Sequence, residues 1–302
     1  MRRNALCVSF ELYIIQIRNT WASYIHSNPS LDNLIRIIFI VGKQKNNLRI
    51  WSENIDNQVA QESEKYGDIL HVDIIDAYVN ITAKSMAIFE WIITKCSNAQ
   101  FLMKLDDDVF INIEILLKEI NLNYDINSKN VNFISKASPL AESFWKPLFR
   151  PFYSHAHPIE GTSLKSMKIH EKSFIKGHVI YNPKPIRKEF SKWYIPSKIY
   201  SHEDYGFDYI AGCGALMPLR VAKLIYAVSS CLNNLLFIDD IFLFGYIPSL
   251  LGIQLIDLPN VFDDTKNANI PKSKHDIKSF QENLLVAQLE PTELKELWKI
   301  LN

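Results

Sequence analysis

Phe101-Leu102-Met103-Lys104-Leu105-Asp106-Asp107-Asp108 decides how this chain is read, because a short apolar run passes directly into three carboxylates. A run of that kind predicts a strand buried in a sheet. Just after the acids, Ile113, Leu116, Leu117 and Ile120 fall at helical spacing, which predicts an amphipathic helix. Upstream, the β-branched run Leu34 to Gly42 and the run Ile69 to Ile75 read as two further buried strands. Between the second run and the acids, Ser85, Ile88, Phe89, Ile92 and Cys96 lie on one helical face, with Asn80 or Thr82 available as N-cap. Strands alternating with helices predict an α/β fold with a mostly parallel central sheet, in which ligands sit beyond the carboxyl ends of the strands. The triple aspartate lies at such an end.

Farther along, the periodicity weakens, and about 132–172, rich in proline, aromatics and histidine, reads as an irregular insertion in a single domain spanning 1–302. Lys176 to Ile180 reads as an edge strand, and Val221 to Ser230 and Pro291 to Leu301 as helices. Ile241 to Ile256 is apolar but is interrupted by Gly245, Pro248, Ser249 and Gln254, so it reads as a buried core segment and not a spanning helix. Near the N-terminus, Arg2 and Arg3 precede a short apolar stretch that Glu11 breaks, which reads as neither signal peptide nor anchor.

Composition narrows the function classes. The 302 residues are 48% hydrophobic and 22% charged, which excludes a collagenous or largely disordered chain. Thirty-three basic residues balance 33 acidic ones, so there is no cationic surplus of the sort that drives general nucleic-acid binding. The four cysteines form no CxxC pair, which removes a zinc ribbon or thioredoxin motif and leaves buried thiols and disulfides both open.

Two acidic groups could carry chemistry. Three adjacent aspartates repel one another, and a hard divalent cation such as Mg2+ or Mn2+, bridging to a diphosphate, would relieve that repulsion. A solvated turn capping the next helix is the plainer reading. Asp239 and Asp240 sit among Phe237, Ile238, Ile241, Phe242, Leu243 and Phe244, where a carboxylate is costly to bury without a role. General-base catalysis is one such role, and an N-cap at the start of a buried helix is the other.

Several segments in order resemble glycosyltransferase family 31, the beta-1,3-galactosyltransferase and beta-1,3-N-acetylglucosaminyltransferase group. They are Ile17-Arg18-Asn19-Thr20-Trp21, Phe39-Ile40-Val41-Gly42, Glu64-Lys65-Tyr66-Gly67-Asp68-Ile69 and Asp76-Ala77-Tyr78-Val79-Asn80-Ile81-Thr82-Ala83-Lys84-Ser85. Lys104-Leu105-Asp106-Asp107-Asp108-Val109-Phe110, Pro185-Ile186-Arg187, Tyr209-Ile210-Ala211-Gly212-Cys213-Gly214 and Asp239-Asp240-Ile241-Phe242-Leu243-Phe244-Gly245 continue the series, which covers about 17–300. The combination is more specific than any one segment.

The resemblance implies a GT-A type fold of the nucleotide-diphospho-sugar transferase kind, a UDP-sugar donor, a Mn2+ ion and a glycan acceptor on protein or lipid. By position, it implies donor-binding roles for Asp106, Asp107, Arg18 and Lys84, metal binding by Asp108 with Asp106, and a general base in Asp240. It also implies galactose or N-acetylhexosamine transfer in beta-1,3 linkage with inversion, on the lumenal side of the Golgi membrane. Where relatives carry a metal-binding histidine before a P-x-E-x-x-x-x-W pattern, this chain has Ala287 and Gln288 ahead of Pro291, Glu293 and Trp298. In a secretory setting, Asn80-Ile81-Thr82 would be a glycosylation sequon and a Cys96–Cys213 pair would be favoured. The alternatives are a non-catalytic relative that binds nucleotide or glycan, and a haloacid-dehalogenase-like phosphatase using Asp106 as nucleophile.

Overall fold

The computed structural model describes residues 6–44, 49–96, 98–125, 173–232, 236–258, 261–262 and 282–301. The insertion expected at about 132–172 lies outside them. In chain order the elements begin with helices α1 (Leu6–Asn19), α2 (Trp21–His26) and α3 (Pro29–Leu34), then strand β1 (Phe39–Lys43) and α4 (Arg49–Tyr66). Strand β2 (Ile69–Ile75), a 3-10 turn (Tyr78–Asn80), α5 (Ile81–Lys95), β3 (Phe101–Leu105), β4 (Phe110–Ile111) and α6 (Ile113–Asp125) follow. The second half holds β5 (Phe174–Ile180), β6 (Tyr209–Pro218), α7 (Leu219–Cys231) and α8 (Asp239–Ile241). A π-helical segment (Phe242–Tyr246) then leads to α9 (Ile247–Leu251), β7 (Gln254–Asp257), β8 (Val261–Phe262), β9 (Leu285–Val286) and α10 (Pro291–Leu301).

The chain divides into two compact units. The first comprises Met1–Ile38, Lys104–Ile134 and Leu258–Asn302, and the second Phe39–Met103 and Ser135–Asp257. Within the first, β9 pairs antiparallel with β4, setting Val286 opposite Phe110, and parallel with β8. Ile14, Ile17, Trp21 and Ile25 of α1 and α2 are buried, as are Leu294 and Leu297 of α10, each at the spacing that gives a helix one apolar face. The Trp298 ring meets those of Tyr24 and Phe110 at centroid distances of 6.5 and 6.3 Å.

In the second unit β1 and β2 form a parallel pair, and a four-stranded sheet runs in the order β3-β6-β5-β7. The mostly parallel sheet expected from sequence is therefore mixed: β5 is antiparallel to β6 and parallel to β7. Two local expectations also change. Lys176 to Ile180 belongs to an interior strand, not an edge, because β6 and β7 flank it on both sides. Gly177 permits the close approach: a Cβ there would lie 2.3 Å from the Gly214 carbonyl oxygen.

The apolar run Leu34 to Gly42 is strand only from Phe39. Asn28 caps α3 by accepting from the Ser30 N–H at 3.1 Å, and Pro29 fits the first helical turn, so the residues up to Leu34 wind as helix. The segment from Ile241 is buried as expected up to Pro248, with Leu250, Gly252 and Gln254 exposed; it is helical to Leu251 and then a strand from Gln254. Met86, Phe89, Ile175, Ile210, Ile225 and Phe244 belong to the core of this unit, with the Phe89 and Phe244 rings edge to face at 6.3 Å. No described helix is long and apolar enough to cross a membrane.

Candidate active site

The acidic tract belongs to the first unit, and its backbone is pinned from two sides. β3 alternates burial, and Lys104, 7% exposed, places its Nζ 2.6 Å from Asp106 Oδ1. A lysine this deep needs such a partner, since an unpaired buried charge is strongly unfavourable. One residue beyond the tract, the Val109 carbonyl accepts from Trp21 Nε1 at 3.2 Å. The Asp108 carbonyl accepts from the Leu289 N–H at 3.0 Å. Asn112 then caps α6, its Oδ1 accepting from the N–H groups of Glu114 and Ile115 at 3.1 and 3.2 Å.

These bonds give the Ile17–Trp21 segment a physical reason. The Thr20 hydroxyl donates to the Gln16 carbonyl at 2.6 Å where α1 gives way to α2, and Ile17 and Trp21 are buried. Arg18, between them, is half-buried. The Trp21 indole thus reaches the carbonyl next to the acids, where a residue lacking an N–H could only pack.

Negative charge gathers at this end of the strand. The Tyr13 phenol is pushed well above its ordinary pKa, first by burial, then by the charges of Glu290, Asp108 and Asp107 and a hydrogen bond to Glu290. Gln288, next to the pinning Leu289, takes a left-handed backbone with φ of 59°. Among the described residues no three His, Cys, Asp or Glu side chains form a ready metal cage. Hard carboxylate oxygens on a fixed backbone fit an ion held by one or two protein ligands and completed by phosphate oxygens.

The second group of acids belongs to the second unit and is held through its side chains. Asp239, 2% exposed, accepts from the Ser85 hydroxyl at 2.6 Å through Oδ2. The half-buried Asp240 accepts from the Gly212 N–H at 2.9 Å through Oδ2. A Cβ at Gly212 would lie 2.5 Å from Asp240 Oδ1, so only glycine allows this approach. Both acids occupy the first turn of α8, where the helix N-terminus favours negative charge.

Next to Ser85, the Lys84 ammonium lies 3.0 Å from each oxygen of Asp76, and Asp76 Oδ2 also accepts from the Gly42 N–H at 3.0 Å. The structure therefore joins Lys84 to the Asp239–Asp240 turn through its neighbour Ser85. Asp76, Ser85 and Gly212 stood in the sequence only as letters of longer segments. Nothing next to them in the sequence marks them, because their pairing with Lys84, Asp239 and Asp240 is made across the fold. The sequon residue Thr82 is buried, its hydroxyl donating to the Leu236 carbonyl at 2.6 Å. Cys96 and Cys213 are thiols and do not pair with each other.

A mixed α/β chain carrying a pinned acidic strand end and a second, side-chain-held acidic turn is of a kind consistent with a glycosyltransferase. The galactosyltransferase family model matches residues 15–146 and 160–259, and the chain belongs to that family, in glycosyltransferase family 31. It is similar to the human lactosylceramide 1,3-N-acetyl-beta-D-glucosaminyltransferase, 26% identical over 283 residues, covering 94% of this chain and 60% of that protein. Mouse beta-1,3-galactosyltransferase 1 is 27% identical over 282 residues, covering 93% of this chain and 67% of its own length. A Xenopus laevis lactosylceramide 1,3-N-acetyl-beta-D-glucosaminyltransferase A is 26% identical over 237 residues, covering 78% of this chain and 50% of that protein. The chain thus spans between half and two thirds of the length of these relatives.

Proposed function

We propose that the chain is a GT-A type glycosyltransferase that moves galactose or an N-acetylhexosamine from a UDP-sugar to a glycan hydroxyl. The linkage formed is beta-1,3, with inversion, and the setting is the lumenal side of the Golgi membrane. The observation that carries the reading is the pinned Asp108–Val109 backbone, which fixes the carboxylate tract at the end of β3. Asp108, with Asp106, would hold a Mn2+ ion, which when bound neutralises charge on the departing diphosphate. Asp106, Asp107, Arg18 and Lys84 bind the donor, with Lys84 kept in place by Asp76.

Asp240 removes the proton from the acceptor hydroxyl as its oxygen attacks the anomeric carbon and the bond to UDP breaks. The Gly212 N–H holds that carboxylate in one orientation before substrate arrives. Calorimetry of UDP binding with and without Mn2+ tests the donor site. Binding that requires the metal and disappears in Asp108→Ala is expected. Binding unaffected by either change would overturn the assignment, and UDP binding without sugar transfer to any acceptor would mark a non-catalytic relative.

A further inference from the structure

The first unit carries a cleft whose lining, among the described residues, includes none of the aspartates above. β4 begins two residues after Asp108 and leads into α6, and β9 pairs with it before the chain enters α10. Leu294 and Leu297 of α10 are buried, which leaves Trp298, the next residue, half-buried at the edge of the apolar face. Its ring stands 6.5 Å from that of half-buried Tyr24 and 6.3 Å from that of buried Phe110, centroid to centroid. With Leu301, Asn112 and Glu114, these rings line a cleft of about 220 Å³.

Glu114 is the one charged residue of that lining among the described residues. The exposed Lys118 of α6 and the exposed Lys295, Glu296 and Lys299 of α10 lie outside it. A phosphate or sulfate would therefore meet a carboxylate and no cation. A volume of about 220 Å³ also falls below the roughly 300–1,000 Å³ of sites for drug-sized ligands, so one small ring fits and a nucleotide does not. The exposed Glu114 carboxylate has a single partner among the described residues, the Tyr24 hydroxyl, which donates to Oε1 at 3.3 Å. Its Oε2 is left to accept, whereas Asn112 Oδ1 in the same wall is already engaged in the cap of α6.

We propose that this cleft is a second carbohydrate site, taking one neutral pyranose ring of a glycan against Trp298 with a hydroxyl donating to Glu114. A pyranose presents apolar C–H groups on its faces and hydroxyl donors around its rim, which matches a half-open aromatic ring beside an acceptor carboxylate. An alkylammonium also pairs with a carboxylate among aromatic rings, but it needs several ring faces turned toward it. Phe110, 3% exposed, keeps its ring in the core, so Tyr24 and Trp298 form a wall and not a cage. The site uses none of the residues assigned to transfer and needs neither UDP nor an ion.

The test is titration of the full chain, without UDP or metal, with methyl β-galactoside and methyl β-N-acetylglucosaminide, followed by the indole N–H resonance of Trp298. That resonance is assigned as the one lost in Trp298→Phe. A saturable shift with a Kd of about 1 mM for at least one sugar is expected, as one small ring at ordinary affinity per atom gives. Glu114→Gln, which replaces a charged acceptor by a neutral one, should weaken it about five-fold. Lys118→Gln, one helical turn away, and Asp240→Asn should leave it unchanged. Glu114 and Lys118 are exposed, and matching melting temperatures establish that the variants fold.

No shift of that resonance at about fifty times the expected Kd would overturn the proposal. So would unchanged sugar affinity in Glu114→Gln, or a shift by choline chloride at lower concentration than by either sugar, since that would make the cleft an ammonium site. Loss of the shift in Asp240→Asn would also overturn it, by assigning the bound sugar to the acceptor site. The titration involves no transfer, so failure here is separable from failure of the transferase reading.

Discussion

The acidic tract of the first unit and the acidic turn of the second are fixed by opposite means. Around Asp106–Asp108 the backbone is anchored, by Trp21 at the Val109 carbonyl and by Leu289 at the Asp108 carbonyl, while carboxylates crowd a neutral phenol. Around Asp239–Asp240 the carboxylates themselves are gripped, one by the Ser85 hydroxyl and one by the Gly212 N–H. The first arrangement fixes the backbone beneath the carboxylates and pairs one of them, Asp106, with the Lys104 ammonium at 2.6 Å. The second fixes the direction of an oxygen, as suits a group that removes one proton from one place.

Substitutions at each region should separate these two designs. Asp240→Asn should lower transfer about a thousand-fold while leaving UDP affinity unchanged, measured by single-turnover assay beside calorimetry. Equal losses in both would show that the turn serves binding. Gly212→Ala comes next: the new Cβ displaces the Asp240 carboxylate, and kcat should fall about a hundred-fold with little change in KM. An unchanged kcat would detach the glycine from the reaction.

Smaller effects should appear in stability. Ser85→Ala leaves a buried carboxylate short of a donor and should cost about 2 kcal/mol in denaturant unfolding. Trp21→Phe removes the indole N–H together with part of a buried ring, should cost about 2 kcal/mol, and should weaken Mn2+-dependent UDP binding more than it alters kcat. If Trp21→Phe moved kcat alone, the contrast between a binding region and a proton-transfer region would fail.

Parts of this arrangement were legible in one dimension. Ile69 to Ile75, Phe101 to Leu105 and Pro291 to Leu301 occur at the limits read from the sequence, because each has a clear period or an apolar run between breakers. Leu34 to Gly42 was overread, since apolar continuity does not register a cap at Asn28. β6 is buried along nearly its whole length, yet Gly212, Gly214 and Pro218 argue against a strand by propensity alone. Gly212 serves a close approach to Asp240 that exists only once the chain has folded. At the site, the acids announced themselves by their apolar surroundings, whereas the groups that hold them come from far along the chain. Ser85 is 154 residues from Asp239.

The π-helical segment Phe242–Tyr246 has a consequence for chain length. A turn closed by i to i+5 bonds absorbs one residue more than an α-turn while both flanks keep their facing. The helix from Asp239 to Leu251 therefore carries a surplus residue just past its acids. Buried helices ordinarily tolerate neither insertion nor deletion, because each added residue swings everything downstream by about 100°. Here a local widening confines that rotation, so the acid-bearing turn and the packed turns of α9 are decoupled in register although they share one continuous helix.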